Sequence, residues 1–240
     1  MTLIQRLIGI LTRRIIAPVV PARLSLPLQY WLQGVQSMLE PELIHLEAIC
    51  RGGDVAIDVG ANEGFFSYRL APMFGTVYAF EINSDLVANL EAWNPGNIRI
   101  MPTGLSSEAQ DATLYIPVAH GMELTGWASL APGNCPDAQS HITKPVRVET
   151  LDSFAIKNVS FIKIDVEGHE PQMLQGAEQT IRTNRPIVLV EVKAGNRERV
   201  AEFFNQLGYE EVSFESLAGV AGSAENRIYR PRSEAATRSA

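Results

Sequence analysis

Short runs of β-branched and aromatic residues punctuate the chain from residue 54 onward: "DVAIDV" (54–59), "TVYAFEI" (76–82), "NIRIM" (97–101), "FIKIDV" (161–166) and "PIVLVEV" (186–192). Between several of them the apolar spacing changes to the helical one, over 63–72, 84–92, 170–182 and 197–207. Strands that are apolar at nearly every position bury both faces, so the pattern predicts an α/β fold, a doubly wound and mostly parallel sheet with helices on both sides. After the last helix, "GYEEVSFES" and "ENRIYRP" read as two strands joined by the small-residue loop "LAGVAGSA", which predicts a C-terminal antiparallel hairpin. The alternation breaks over 102–150, where "ATLYIPV" and "PVRVETL" flank a Gly- and Pro-bearing stretch at 120–137. So long an excursion in a compact domain is usually functional, and it is read as a substrate-side insertion.

The N-terminal region has a different texture. Leu3, Ile4, Leu7, Ile8, Leu11 and Ile15 fall at helical spacing opposite Gln5, Arg6, Gly9, Thr12 and Arg13. Arg6, Arg13, Arg14 and Arg23 give residues 1–39 a charge of +4 with no acid, so the rest of a chain of net charge −7 carries −11. The expected organisation is a basic amphipathic helical segment at 1–45, one domain at 46–232 containing the insertion, and a flexible tail at 233–240. Arg13 and Arg14 interrupt the apolar run and no small-residue cleavage site follows, so the segment does not read as a signal peptide. It is too short to span a bilayer. Two uses stay open: lying on an anionic membrane surface, or packing on the chain's own body or on a second subunit of a homo-oligomer, the commoner fate of such helices.

Composition narrows the function. At 240 residues and 46% hydrophobic content the chain is an ordinary globular protein, and its acidity argues against a nucleic-acid partner. Cys50 and Cys135 are far apart and lack a CxxC partner, which opposes a disulfide framework or a zinc site and fits a reducing, cytoplasmic setting.

The chemistry concentrates where the first strand turns into the first helix. "DVGANEG" (58–64) lies beyond the carboxyl end of that strand, where ligands bind in doubly wound sheets. Gly60 and Gly64 admit backbone geometry and close approach that a Cβ would block, and the helix N-terminus favours an anionic group. Asp58 can accept from a ligand amine or its water. Glu81, seventeen residues past Gly64, ends the second strand in place to take both hydroxyls of a ribose, so an adenosine ligand is expected. A dinucleotide site would read GxGxxG, and its pyrophosphate would be repelled by Asp58. A ligand carrying an ammonium and a sulfonium would be attracted, which points to S-adenosylmethionine.

Five blocks, "VAIDVGANEGFFSYRLA", "VYAFEINSDLVANLEAWN", "VETLDSF", "FIKIDVEGHEPQMLQGA" and "IVLVEV", resemble successive blocks of the FkbM-type methyltransferases over about residues 45–195. The resemblance implies a class I, Rossmann-like methyltransferase fold, S-adenosylmethionine as donor, and O-methylation of a hydroxyl on a sugar, glycan or secondary metabolite. Carried over by position, Asp58, Gly60, Asn62 and Gly64 would line the methionine end and Glu81 would hold the ribose, with Ala61, Ile82, Leu105, Ser106 and Asp165 completing the cofactor side. The chain departs from the family pattern at Ile82, where proline is usual after the ribose acid, and at Ser107, where an aspartate often contacts adenine.

Methyl transfer needs alignment of donor and hydroxyl and a group to take the hydroxyl proton. "KIDVEGHE" supplies Asp165, Glu167, His169 and Glu170 at the end of the fourth strand, and "LVEVK" places Glu191 at the end of the fifth. The expected base is Asp165 or His169, the latter because its ordinary pKa lies near neutrality. Asp165 with Glu191 could alternatively hold Mg²⁺, which would lower the pKa of the acceptor hydroxyl. In the insertion, Trp127 and Ser129 of "GWASL" are candidate acceptor contacts together with Glu167, by stacking and hydrogen bonding respectively; either can equally be structural. Two further function classes are an NAD-type oxidoreductase, opposed by the glycine spacing, and a non-catalytic adapter, opposed by the intact turn and ribose acid.

Overall fold

The computed structural model describes residues 20–131, 135 and 137–233. The helix expected at 3–15 and nearly all of the expected tail lie outside them. The described chain opens with α1 (Ala22–Val35), α2 (Pro41–Ile44) and α3 (Leu46–Ile49) and then enters the first strand, β1 (Gly53–Val59). There follow α4 (Phe65–Leu70), β2 (Phe74–Phe80), α5 (Ser84–Trp93) and β3 (Ile98–Met101). The insertion contributes β4 (Gly104–Leu105), β5 (Gln110–Ala119), β6 (Met122–Glu123) and β7 (Ser140–Glu149). The chain returns through β8 (Val159–Ile164), α6 (Glu170–Gln175), α7 (Glu178–Asn184), β9 (Ile187–Glu191) and α8 (Arg197–Gln206), and ends with β10 (Tyr209–Val212), α9 (Phe214–Ala218) and β11 (Asn226–Pro231).

The main sheet has seven strands in the order β10-β11-β9-β8-β1-β2-β3. All neighbours from β9 to β3 are parallel, and β11 is antiparallel to both β9 and β10. The predicted C-terminal pair is therefore present, but β11 lies between β10 and β9, and the connection contains α9 where a plain loop was expected. The order reverses between β1 and β8, so their carboxyl ends open a crevice at the switch point. Two apolar layers cover the sheet. Ile57, Val59, Ile162, Ile164, Val188 and Val190 face α6–α8, whereas Ala56, Phe161 and Leu189 face α1, α3 and α4.

The helix expected over 170–182 is broken into α6 and α7 at Gly176. A Cβ there would lie 2.0 Å from the Ser106 carbonyl oxygen, so the insertion's root passes against this glycine. Asp152 restarts the helix by accepting from the amides of Gln179 (3.0 Å) and Thr180 (2.7 Å). The insertion itself is a second, four-stranded sheet, β4-β7-β5-β6, built on a long antiparallel β5–β7 pair. It stands over the carboxyl ends of the main strands, and Leu114, Thr125 and Ser129 reach down from it into the crevice. No described helix is long and apolar enough to cross a membrane.

Candidate active site

A cleft of about 630 Å³ occupies the switch point, bounded by the tips of β1, β2 and β8 below and by the insertion above. Its two ends differ in chemistry.

At the first end the backbone does the shaping. Gly60 has φ +74°, and a Cβ on it would sit 1.8 Å from the Asp165 carbonyl oxygen, so only glycine lets the tips of β1 and β8 approach. Asn62 takes the left-handed conformation (φ 50°), which its short amide tolerates. Its amide N–H donates to Glu81 Oε2 (2.7 Å), and the Asn83 N–H donates to Glu81 Oε1 (2.7 Å). Burial pushes the Glu81 carboxyl up, and these two N–H groups oppose the shift. Each carboxylate oxygen is thus held in place with a further lone pair to offer. The buried Asn62 Oδ1 has no partner and lines the same space, as do Ile82, Gly104 and Leu105. An immobilised carboxylate, an unpartnered amide oxygen and a glycine-made gap fit the ribose and amino-acid portions of S-adenosylmethionine, with Ile82 and Leu105 as apolar walls for the adenine.

At the second end, side chains from separate segments converge. One carboxylate oxygen each from Asp165, Glu167 and Glu191 can be grouped within 4.8 Å. Strand β8 stops at Ile164, and Glu167 reaches the group through a left-handed turn (φ 48°). Glu170 holds that turn by accepting from the Gly168 N–H (2.7 Å) and the Asn196 side-chain amide (2.6 Å). Two lysines answer the acids. Lys193 Nζ lies 2.9 Å from Glu167, 2.9 Å from Glu191 and 3.1 Å from Glu225. Lys163, buried at 1% exposure, lies 3.7 Å from Asp165 and over the Phe66 ring at 4.8 Å.

Electrostatics separates the acids. Burial pushes Asp165 up to about 7 against the opposing pull of Lys163. Burial and the Asp165 charge push Glu167 up to about 8. Burial would raise Glu191 too, but Lys163 and Lys193 outweigh it and hold this carboxyl below its ordinary value. Burial would lower both lysines; the surrounding carboxylates hold both above the ordinary lysine range. Asp165 lines the cleft, and its Oδ1 is buried and unpartnered.

The Methyltransferase FkbM domain matches residues 58–211, more than half of the chain. The chain belongs to the FkbM methyltransferase family. Its fold is the class I, Rossmann-like fold of S-adenosylmethionine-dependent methyltransferases. Among solved structures, the FkbM methyltransferase of Methylobacillus flagellatus KT is similar, with a TM-score of 0.50 and 13% identity over 75% of this chain. The chain spans 44% of that protein. A putative methyltransferase from Streptococcus mutans, solved with SAH, has a TM-score of 0.46 at 13% identity, covering 79% of this chain and 94% of that one. No curated protein sequence matches.

Within this FkbM domain, Gly60, Asn62, Glu81, Ile82, Leu105, Ser129, Asp165, Glu167 and His169 line the cleft. Asp58, Ala61, Gly64 and Ser106 do not. Asp58 is 1% exposed and accepts from the Ser67 hydroxyl (2.6 Å), so it ties β1 to α4 beneath the turn; direct contact with a ligand amine is not what the fold offers. Ala61 is buried. A Cβ on Gly64 (φ +91°) would meet Leu90 at 2.9 Å, so this glycine serves helix packing. Ser106 lies under the wall and shares a 2.9 Å hydrogen bond with His169 Nε2, while burial lowers the His169 pKa. Glu191 reaches the site through Lys193, and Trp127, 41% exposed, stands at the rim with Lys193 Nζ 5.3 Å from its ring centroid. Ser129 donates to the Glu167 carbonyl oxygen (2.8 Å), which fastens the insertion to the β8–α6 turn.

Lys163 and Lys193 are the residues that sequence reasoning missed. Alternation along "FIKIDV" places Lys163 on the same side as Asp165, a signal that could have found it. The same alternation in "LVEVK" places Lys193 beside Glu191, but nothing local links it to Glu167 or Glu225. Lys193 also bears on the expected Mg²⁺: its ammonium already bridges two of the three carboxylates, so these residues do not fit a divalent ion unless Lys193 moves away.

Proposed function

We propose that the protein transfers the methyl group of S-adenosylmethionine to a hydroxyl oxygen of a sugar or glycan, with Asp165 taking the hydroxyl proton. The observation that carries this reading is Asp165, a residue of the cleft lining whose Oδ1 is buried without a partner and whose pKa is pushed up to about 7. A base near neutrality is half ionised at working pH and still strong enough to accept the proton. His169 is the weaker candidate, since its Nε2 is engaged by Ser106 and burial disfavours its protonated form. When bound, the donor supplies a methyl carbon already activated by its sulfonium.

The protein's own part is orientation and proton acceptance. Glu81 holds the ribose hydroxyls, and Gly60 leaves room for the donor between β1 and β8. Ser129 and Glu167 bound the acceptor side, and Trp127 offers an aromatic face for a sugar ring at the rim. Asp165 would take the proton that the acceptor oxygen loses as the methyl carbon–sulfur bond is exchanged for a carbon–oxygen bond and the neutral thioether leaves, and Lys163 would limit the change in local charge. Supplying donor with a panel of saccharides and locating the transferred ¹³C-methyl by NMR tests the reading. The expected product is a methyl ether formed at a kcat/KM that rises with pH through about 7. A methyl on nitrogen or carbon, or transfer indifferent to Asp165→Asn, would overturn it.

A further inference from the structure

Helix α1 is inside out. Its buried face centres on Leu26 and includes Ser25 and Gln29, which pair with each other through a 2.9 Å bond from Gln29 Nε2 to Ser25 Oγ. Its outer face carries Leu24, Leu28, Trp31 and Val35, spaced four, three and four residues apart, which at 3.6 residues per turn form one stripe along the helix. Leu24 is 49%, Trp31 60% and Val35 66% exposed, and Leu28 is half-buried. A helix that only covered the domain would turn this stripe inward and its serine and glutamine outward. Tyr30 instead anchors the helix through ring contacts with Phe65 (6.1 Å) and Tyr68 (5.0 Å) of α4, leaving the apolar row free of the core. A contiguous exposed apolar patch with an aromatic at its centre marks an interaction surface.

Charge indicates what covers it. Residues 1–39 hold four arginines and no acid, against −11 on the rest of the chain. A second copy would bring the same positive segment to the same place, whereas an anionic lipid surface would attract it while repelling the acidic body. Trp31 is the residue type that settles at the headgroup boundary. We propose that the apolar stripe of α1 docks the enzyme peripherally on an anionic lipid surface. Through the connector 36–40, α1 leads to Glu40, whose carboxylate accepts from Asn226 (2.9 Å), the residue paired with Glu191 across the sheet. The docked helix is thus tied by chain and hydrogen bond to the acceptor end of the cleft.

The test uses the full chain with vesicles of phosphatidylcholine alone and of phosphatidylcholine with phosphatidylglycerol. Cosedimentation with the anionic vesicles only, a blue shift of Trp31 fluorescence in a background with Trp93 and Trp127 both replaced by Phe, and loss of binding in high salt are expected. Replacing Trp31 and Val35 by serine should weaken vesicle binding roughly tenfold or more, while donor affinity and circular dichroism match the parent. Replacing the four arginines by glutamine should weaken it as well. Absence of vesicle binding, or binding undiminished by the stripe variant, would overturn the proposal. So would a dimer in light scattering that the same variant dissolves, since the stripe would then belong to a second copy.

Discussion

The two ends of the cleft hold buried carboxylates by opposite means. Glu81, at the donor end, is fixed by backbone N–H groups of Asn62, in the turn after β1, and of Asn83, in the turn after β2. Asp165, Glu167 and Glu191, at the acceptor end, are balanced by the side-chain ammonium groups of Lys163 and Lys193. Backbone dipoles cannot titrate or swing away, so the donor end is a rigid receptor. Ammonium and carboxylate groups set one another's protonation, so removing one partner at this end alters the rest.

The largest effect that would break this contrast comes from the point where the two ends touch. Gly60→Ala places a methyl against the Asp165 carbonyl in a left-handed conformation. It should abolish donor binding in calorimetry and lower stability by about 3 kcal/mol. Next, Asp165→Asn should lower kcat by about 10²–10⁴-fold and remove the pH limb near 7 while leaving donor affinity nearly unchanged. Glu81→Gln should do the reverse, raising the donor Kd by roughly tenfold or more with a smaller effect on kcat at saturating donor. Equal losses of affinity in both variants would dissolve the division between the ends.

Smaller and sharper is Lys193→Met. Lys193 helps to hold the Asp165 pKa down, so removing the cation should move the rising limb of activity to higher pH. The same variant should gain Mn²⁺ binding in calorimetry that the parent lacks, if the lysine takes a cation's place. The smallest effect is on stability. Asp58, Glu81, Asp165 and Glu167 are all raised in the fold, so the native state binds more protons than the unfolded chain between their unfolded and folded pKa values. Stability therefore falls as pH rises from about 5 to 8, and Tm should drop by about 2–4 °C for each kcal/mol lost. A rising Tm over that window would contradict the raised carboxyls.

Much of the donor end was legible in the chain, because it is built from one strand, one turn and the acid ending the next strand. The positions of Gly60, Asn62 and Glu81 follow from local spacing. The same local reading assigned too much to Asp58 and Gly64, since spacing does not distinguish a residue that touches a ligand from one that supports the turn beneath it. At the acceptor end, Asp165 and Glu167 could be placed together by motif. Alternation could also have placed Lys163 beside Asp165, but not Lys193 beside Glu167 and Glu225, which it meets only after α6, α8 and β11 have folded onto the sheet.

By itself, then, the sequence determined the α/β alternation, the parallel core, the antiparallel end and the acid at the tip of the second strand, all consequences of short-range periodicity and turn chemistry. Only the tertiary structure decided that β11 inserts beside β9, that the insertion becomes a second sheet over the cleft, and that α1 turns its apolar stripe outward. It also decided which carboxylates remain unpaired. Those outcomes depend on contacts between residues far apart in the chain, where burial and charge, rather than local preference, set the energy.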